Sequence, residues 1–173
     1  MEHASRKGAV VVAGDIADIV FVRRLSFPIE AVWHALTDKE QRAQWFGKTS
    51  ILVGQKGGAL EMIADGPPAP ETMRKMVGEV LVFDPPHVFE HAWHQVHVGH
   101  SVVRYELSRD GDGTILRMLH KGLRAKDAGG YVPGEHAYLD RLEAALSSSP
   151  VPDWQQRYAD VATLYGPPPS WGR

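Results

Sequence analysis

At 173 residues, 43% of them hydrophobic and 23% charged, the chain suits a single globular domain rather than a disordered or fibrous protein. A formal charge of −2 leaves no electrostatic footprint for nucleic acid, and the absence of cysteine excludes disulfides, thiol nucleophiles and cysteine-ligated zinc. No apolar run nears the ~20 residues of a membrane span, and "MEHASRKGAVVVAG" is too weakly apolar for a secretory signal, so residues 1–15 are expected as a frayed leader and the protein as cytoplasmic.

"IADIVFVRRLSF", residues 16–27, alternates as a first strand, with Ile19, Phe21 and Arg23 on one side and Val20 and Val22 on the other. The period then changes. In "PIEAVWHALTD" Pro28 is placed for a first helical turn, and Ile29, Val32, Trp33 and Leu36 recur at helical spacing. A second short helix, "KEQRAQWF", carries Trp45 and Phe46 and ends at Gly47. From Lys48 to Gly122 six strands follow, separated by the turns "GQKGG", "DGPPAPE", "DPP", "HVGH" and "RDGDG", which predicts an antiparallel meander. The proline-rich "DGPPAPE" reads as the long, mobile loop.

Helical spacing returns over residues 134–147, where Tyr138, Leu139, Leu142, Ala145 and Leu146 form a stripe that also carries Glu135. After "SSSPVP", Asp153 can cap a last helix with Trp154, Tyr158, Val161 and Tyr165 on one face, stopped by Gly166 and "PPP". That face either packs across the sheet or supplies an interface for a second copy. The expected organisation is a leader over 1–15, one α+β domain over 16–149, and an extension over 150–173 with an extra amphipathic helix. Within the domain, a curved antiparallel sheet of about seven strands wraps around the long C-terminal helix, with two short helices after the first strand. Imperfect closure of sheet on helix predicts an elongated apolar cavity.

The segments "FPIEAVWHALTD", "QWF", "GEVLVFDPPHVFEHAW", "GTILRMLHKGL" and "GEHAYLDRLEAAL" resemble, in the right order, the START-like helix-grip (SRPBCC) superfamily. Within it they are most similar to bacterial relatives of the activator of the heat-shock-90 ATPase. The resemblance implies an internal pocket for an apolar or aromatic molecule and roles spanning ligand carriage, cyclase-type chemistry and stress-linked chaperone regulation. It implies no fixed catalytic residue, and no cofactor is expected. Two positions depart from the family pattern: His91 stands where an apolar or aromatic residue is usual, and Glu135 follows Gly134 where tryptophan is usual.

Strand parity gives the same picture from the residues alone. Phe89, His91 and Trp93 share one face, Val103, Tyr105 and Leu107 another, and Leu116, Met118 and His120 a third. If these faces turn to the long helix, the candidate ligand-binding lining is Trp45, Phe89, His91, Trp93, Tyr105, Met118, His120, Glu135, Tyr138 and Leu142. His91 and His120 would stand two strands apart, roughly 10 Å. His91 and Glu135 are the candidate polar pair, to grip a ligand's hydroxyl or carbonyl or to move a proton, the carboxylate raising the imidazole's pKa. The competing reading leaves Glu135 in water at a helix start.

No metal site is expected. His91, His94, His97 and His100 recur every third residue, but on a strand that step alternates faces, so at most two converge. Ser26 and Ser101 lack a nucleophile-elbow context. The first functional expectation is binding of a hydrophobic small molecule. The alternatives are a cyclase or dehydratase-type enzyme using His91 and Glu135, and a chaperone-linked interaction protein using its outer face or terminal helix, the latter also the candidate homodimer surface.

Overall fold

Period-two alternation of buried and exposed residues underlies most of the eight strands among residues 6–166, the part of the chain that the computed structural model describes. Residues 1–5 of the expected leader and the prolines after Gly166 lie outside the described residues. The strands are β1 (Ala9–Ala13), β2 (Ile16–Leu25), β3 (Gly47–Leu52), β4 (Ala59–Ala64), β5 (Lys75–Asp84), β6 (Val88–Gln95), β7 (Gly99–Asp110) and β8 (Gly113–Arg124). Their order is β1-β2-β8-β7-β6-β5-β4-β3, every adjacent pair antiparallel.

The sheet has eight strands where about seven are expected, the addition being β1. Ala9–Ala13, inside the stretch read as a frayed leader, pairs with β2 from Ala9↔Val20 to Ala13↔Ile16. Its five residues are all exposed, so it carries none of the buried alternation by which strands are recognised; backbone pairing across the tight turn at Gly14 holds it.

Five α-helices occur among the described residues: α1 (Ile29–Thr37), α2 (Lys39–Ala43), α3 (Glu71–Arg74), α4 (Ala125–Leu146) and α5 (Trp154–Ala162), the last running into a short 3-10 turn. Helix α1 starts after Pro28 and buries Ile29, Val32 and Leu36 of the predicted stripe together with Ala35, while Trp33 is half-buried. Asp38 caps α2 by accepting from the amides of Glu40 and Gln41. The "DGPPAPE" loop runs into the single turn α3, and its Gly66 is held by the Tyr138 hydroxyl, to which its amide donates at 3.1 Å.

Helix α4 begins nine residues before the expected Gly134 and is about 33 Å long. Gly129, Gly130 and Pro133 disguise its first half, since each disfavours a helix interior, yet Ala128, Val132 and Pro133 are buried and tertiary packing overrides propensity. The second half is fastened to β2 by charge: buried Arg23 donates to Asp140 at 2.8 Å and Glu143 at 2.9 Å, and Arg157 of α5 reaches Asp140 at 2.6 Å.

Helix α5 packs on α4 rather than across the sheet. Trp154 lies 5.7 Å from Tyr138 ring to ring, and the chain approaches it so closely that a Cβ at Gly66 would fall 1.9 Å from the indole. The apolar side offered to a second copy is therefore covered within the chain.

Candidate functional site

The registers of β6, β7 and β8 set the inner face of the sheet in rows. Phe89, Tyr105, Met118 and Phe21 pair successively across β6, β7, β8 and β2. The next row is His91, Val103, His120 and Ile19, and in the one after it Trp93 pairs with Ser101. All these side chains are buried, so the parity reading of Phe89, His91, Trp93, Tyr105, Met118 and His120 places them correctly. Val103 is the small residue between two imidazoles.

Glu135 projects from α4 and pairs with His120, not with His91. His120 Nδ1 hydrogen-bonds Glu135 Oε1, while His120 Nε2 lies 2.7 Å from Ser101 Oγ, which in turn donates to the Trp93 carbonyl at 3.4 Å. This Ser101–His120–Glu135 chain is almost wholly removed from water, with His120 0% and Glu135 7% exposed. The alternative of a water-exposed Glu135 at a helix start is excluded, because α4 starts ten residues earlier.

His91 is 0% exposed and makes one hydrogen bond, Nδ1 to the Ala92 carbonyl at 3.0 Å. Its pKa is lowered to about 3, chiefly by burial and then by the positive charge of Arg42 and His120, against the opposing pull of the Ala92 carbonyl. The expected upward shift from a neighbouring carboxylate does not occur, since Glu135 is engaged elsewhere. His91 is neutral at physiological pH and is a poor general base. Of the eight buried side-chain nitrogen and oxygen atoms without a hydrogen-bond partner among the described residues, two belong to this cluster, His91 Nε2 and Glu135 Oε2.

Aromatic side chains fill the space around these groups. Phe46 stacks on Tyr138 at 4.7 Å and meets Trp93 edge-on at 5.6 Å, His91 lies 5.3 Å from Phe89, and His120 lies 5.3 Å from Trp93 and 5.5 Å from Tyr131. The elongated hollow expected here is packed: large aromatics on both faces interdigitate. A hollow of about 240 Å³ opens instead between β1, the first half of α4 and α5, lined by Val10, Ala128, Val132, Tyr158, Ala162 and Tyr165. Trp45 stands one ring behind the cluster, 5.9 Å from Phe46, with its indole N–H donated to Ala35. Leu142 is buried on α4.

Three further residues belong to this interior. Arg42 is fully buried without a carboxylate partner among the described residues: it donates to the Leu36 carbonyl and the Tyr105 hydroxyl, and its guanidinium lies 5.1 Å from the rings of both Trp45 and Phe46. Gln95 Oε1 accepts from Tyr131 Oη at 2.6 Å and from Trp93 Nε1 at 3.0 Å. Parity along β6 points to Gln95, and the helical step from Arg42 to Trp45 and Phe46 points to Arg42. Tyr131 was hidden by the misplaced start of α4. The histidines of "HAWHQVHVGH" divide as strand geometry requires, His91 inward, with His94 and His100 stacked at 4.2 Å across the opposite face.

Residues 26–147 match the family described as Activator of Hsp90 ATPase homolog 1-like protein. The chain belongs to that family. Among solved structures, CalU16 from Micromonospora echinospora superposes with a TM-score of 0.67 at 24% identity, covering 93% of this chain and 96% of that one, a likeness of fold. Protein MLL2253 from Mesorhizobium loti reaches 0.66 at 27% identity over 77% of this chain and 98% of that one. The protein encoded by BPP1335 of Bordetella parapertussis reaches 0.67 at 27% over 92% and 88%. No match is found among curated proteins. The activator-like region matched ends with α4, so α5 lies beyond it while every residue of the polar cluster lies within it. No helix among the described residues is long and apolar enough to cross a membrane.

Proposed function

We propose that this chain binds a small, largely apolar or aromatic molecule between the inner face of the sheet and α4. The observation that carries the reading is the polar cluster of His91, Ser101, His120 and Glu135 inside an aromatic interior, with two buried atoms lacking partners. An unpaired buried polar atom costs about 1–3 kcal/mol, and an interior needed only for folding would be more stable with apolar side chains there. A ligand that engages these atoms recovers that cost. Family membership supports the same reading. Since the interior is packed in this state, binding is coupled to an opening of sheet from helix.

Native mass spectrometry of freshly purified protein, followed by a thermal-shift panel of uncharged aromatics, tests this. A retained molecule or a saturable rise in Tm, weakened by Trp93→Ala, is expected. An empty protein whose Tm none of the panel moves would overturn the reading.

The Ser101–His120–Glu135 chain favours a second reading, proton transfer to or from a bound molecule by His120, oriented by Glu135. In this form the cyclase or dehydratase alternative moves from His91 to His120. A retained molecule that leaves lighter by one water from the native protein but unchanged from His120→Gln supports it; unchanged release from both removes it.

A further inference from the structure

We infer that the ligand is an uncharged aromatic that presents a hydroxyl or N–H donor to His91 Nε2 or Glu135 Oε2, rather than a carbonyl, ether or carboxylate. This rests on the binding reading above and names the chemistry of its ligand.

The tautomer of His91 follows from its one partner. A backbone carbonyl only accepts, so the bond to Ala92 at 3.0 Å requires the hydrogen on Nδ1. A second proton would have to sit in a site fully closed to water, facing the charge of Arg42, and the ring therefore stays neutral. His91 Nε2 is left with a bare lone pair. It can accept a hydrogen bond and cannot give one.

Glu135 leads to the same requirement from the other side. Its Oε1 accepts from His120 Nδ1, whose own Nε2 is held by Ser101, and its Oε2 is buried without a partner among the described residues. A carboxylate oxygen accepts. The neighbouring donors of Trp93 and Tyr131 are both turned to Gln95 Oε1 and supply neither atom. The interior thus holds two unmet acceptors, one from β6 and one from α4. A ligand carbonyl or ether would set lone pair against lone pair. A charged ligand of either sign would have to give up its hydration to enter an aromatic interior, which an uncharged one need not.

The test is a matched series titrated at neutral pH by tryptophan fluorescence and calorimetry: beta-naphthol, its methyl ether, naphthalene and beta-naphthoate. We expect beta-naphthol to bind at least about tenfold more tightly than its methyl ether, with naphthalene near the ether and naphthoate weakest. His91→Phe and Glu135→Gln should each lower the ratio of naphthol to naphthalene affinity. Circular dichroism confirms that each variant is folded; if either is not, the comparison within the native protein decides alone. An ether or carboxylate that binds as tightly as the naphthol overturns the donor inference and leaves the binding reading standing. Failure of all four, naphthalene included, overturns both.

Discussion

Burial deprives a protonated His91 of water, and Arg42 and His120 add positive potential, so the folded ring titrates at about 3 whereas the unfolded one titrates near 6.5. Between those values the unfolded chain holds the extra proton, so stability present above pH ~6.5 is lost as pH falls toward ~3. His136, lowered to about 4 chiefly by burial, acts in the same direction. Urea unfolding should therefore weaken steeply from pH ~7 to ~4.5. His91→Phe should flatten that slope, leaving the part that His136 contributes; a wild-type slope retained in the variant would contradict the assignment. Glu135→Ala leaves the His120 Nδ1–H buried and alone, and should cost about 1–3 kcal/mol in the same assay. Replacing both as Glu135→Leu with His120→Met should recover most of the loss, because a buried polar pair is replaceable by apolar groups of similar volume. At this scale the sequence was readable where geometry is periodic. Alternation alone put Phe89, His91, Trp93, Tyr105 and His120 on one surface. The partner of Glu135 was not readable, because which histidine a helix residue meets depends on the angle and axial position of α4, which no local pattern encodes.

Among the elements, α4 and α5 act together. The close approach of Gly66 and Gly134 to Trp154 leaves no room for a side chain on the α3 loop side, where a Cβ at Gly66 would meet the indole at 1.9 Å. Gly66→Ala should push α5 off α4. The expected result is accelerated hydrogen exchange and new proteolytic cleavage confined to residues 150–166, with the amides of β6 to β8 unchanged; uniform protection would show that the contact is dispensable. Helix periodicity revealed α1, the second half of α4 and the capped start of α5, where apolar spacing and turn residues agree. It missed the first half of α4, where two glycines and a proline argue locally against a helix that Ala128 and Val132 stabilise by burial. It also missed β1, whose partner strand alone makes it a strand.

For the molecule as a whole, β1 forms one edge of the sheet and presents Val10, Val11 and Val12 at 39%, 59% and 59% exposure. An apolar edge with free backbone groups is a template for pairing with another chain. Val11→Lys should change stability by no more than about 0.5 kcal/mol yet reduce self-association at high concentration in sedimentation velocity; identical sedimentation of both forms would mean that the edge is already protected. The antiparallel meander and its long covering helix were evident from the order of strands and turns, since each turn signal is local. The packing of the interior was not, because volume is a property of all the side chains at once.

Pro133 divides α4 just ahead of Glu135, and having no amide hydrogen it cannot reach the Gly129 carbonyl that a regular turn would engage. Arg23 rivets the rear of this rod to the sheet through Asp140 and Glu143, while at its front Tyr131 donates to Gln95 and Asp127 pairs with Arg124 at the end of β8. The front is pinned at its start as well, because α4 follows β8 without a break, the Ala125 amide donates to the Asp15 carbonyl at 2.8 Å and Tyr158 of α5 donates to the Gly130 carbonyl at 3.3 Å. The same ring that hid this helix from pattern reading marks the seam between its glycine-bearing front and its charge-riveted rear.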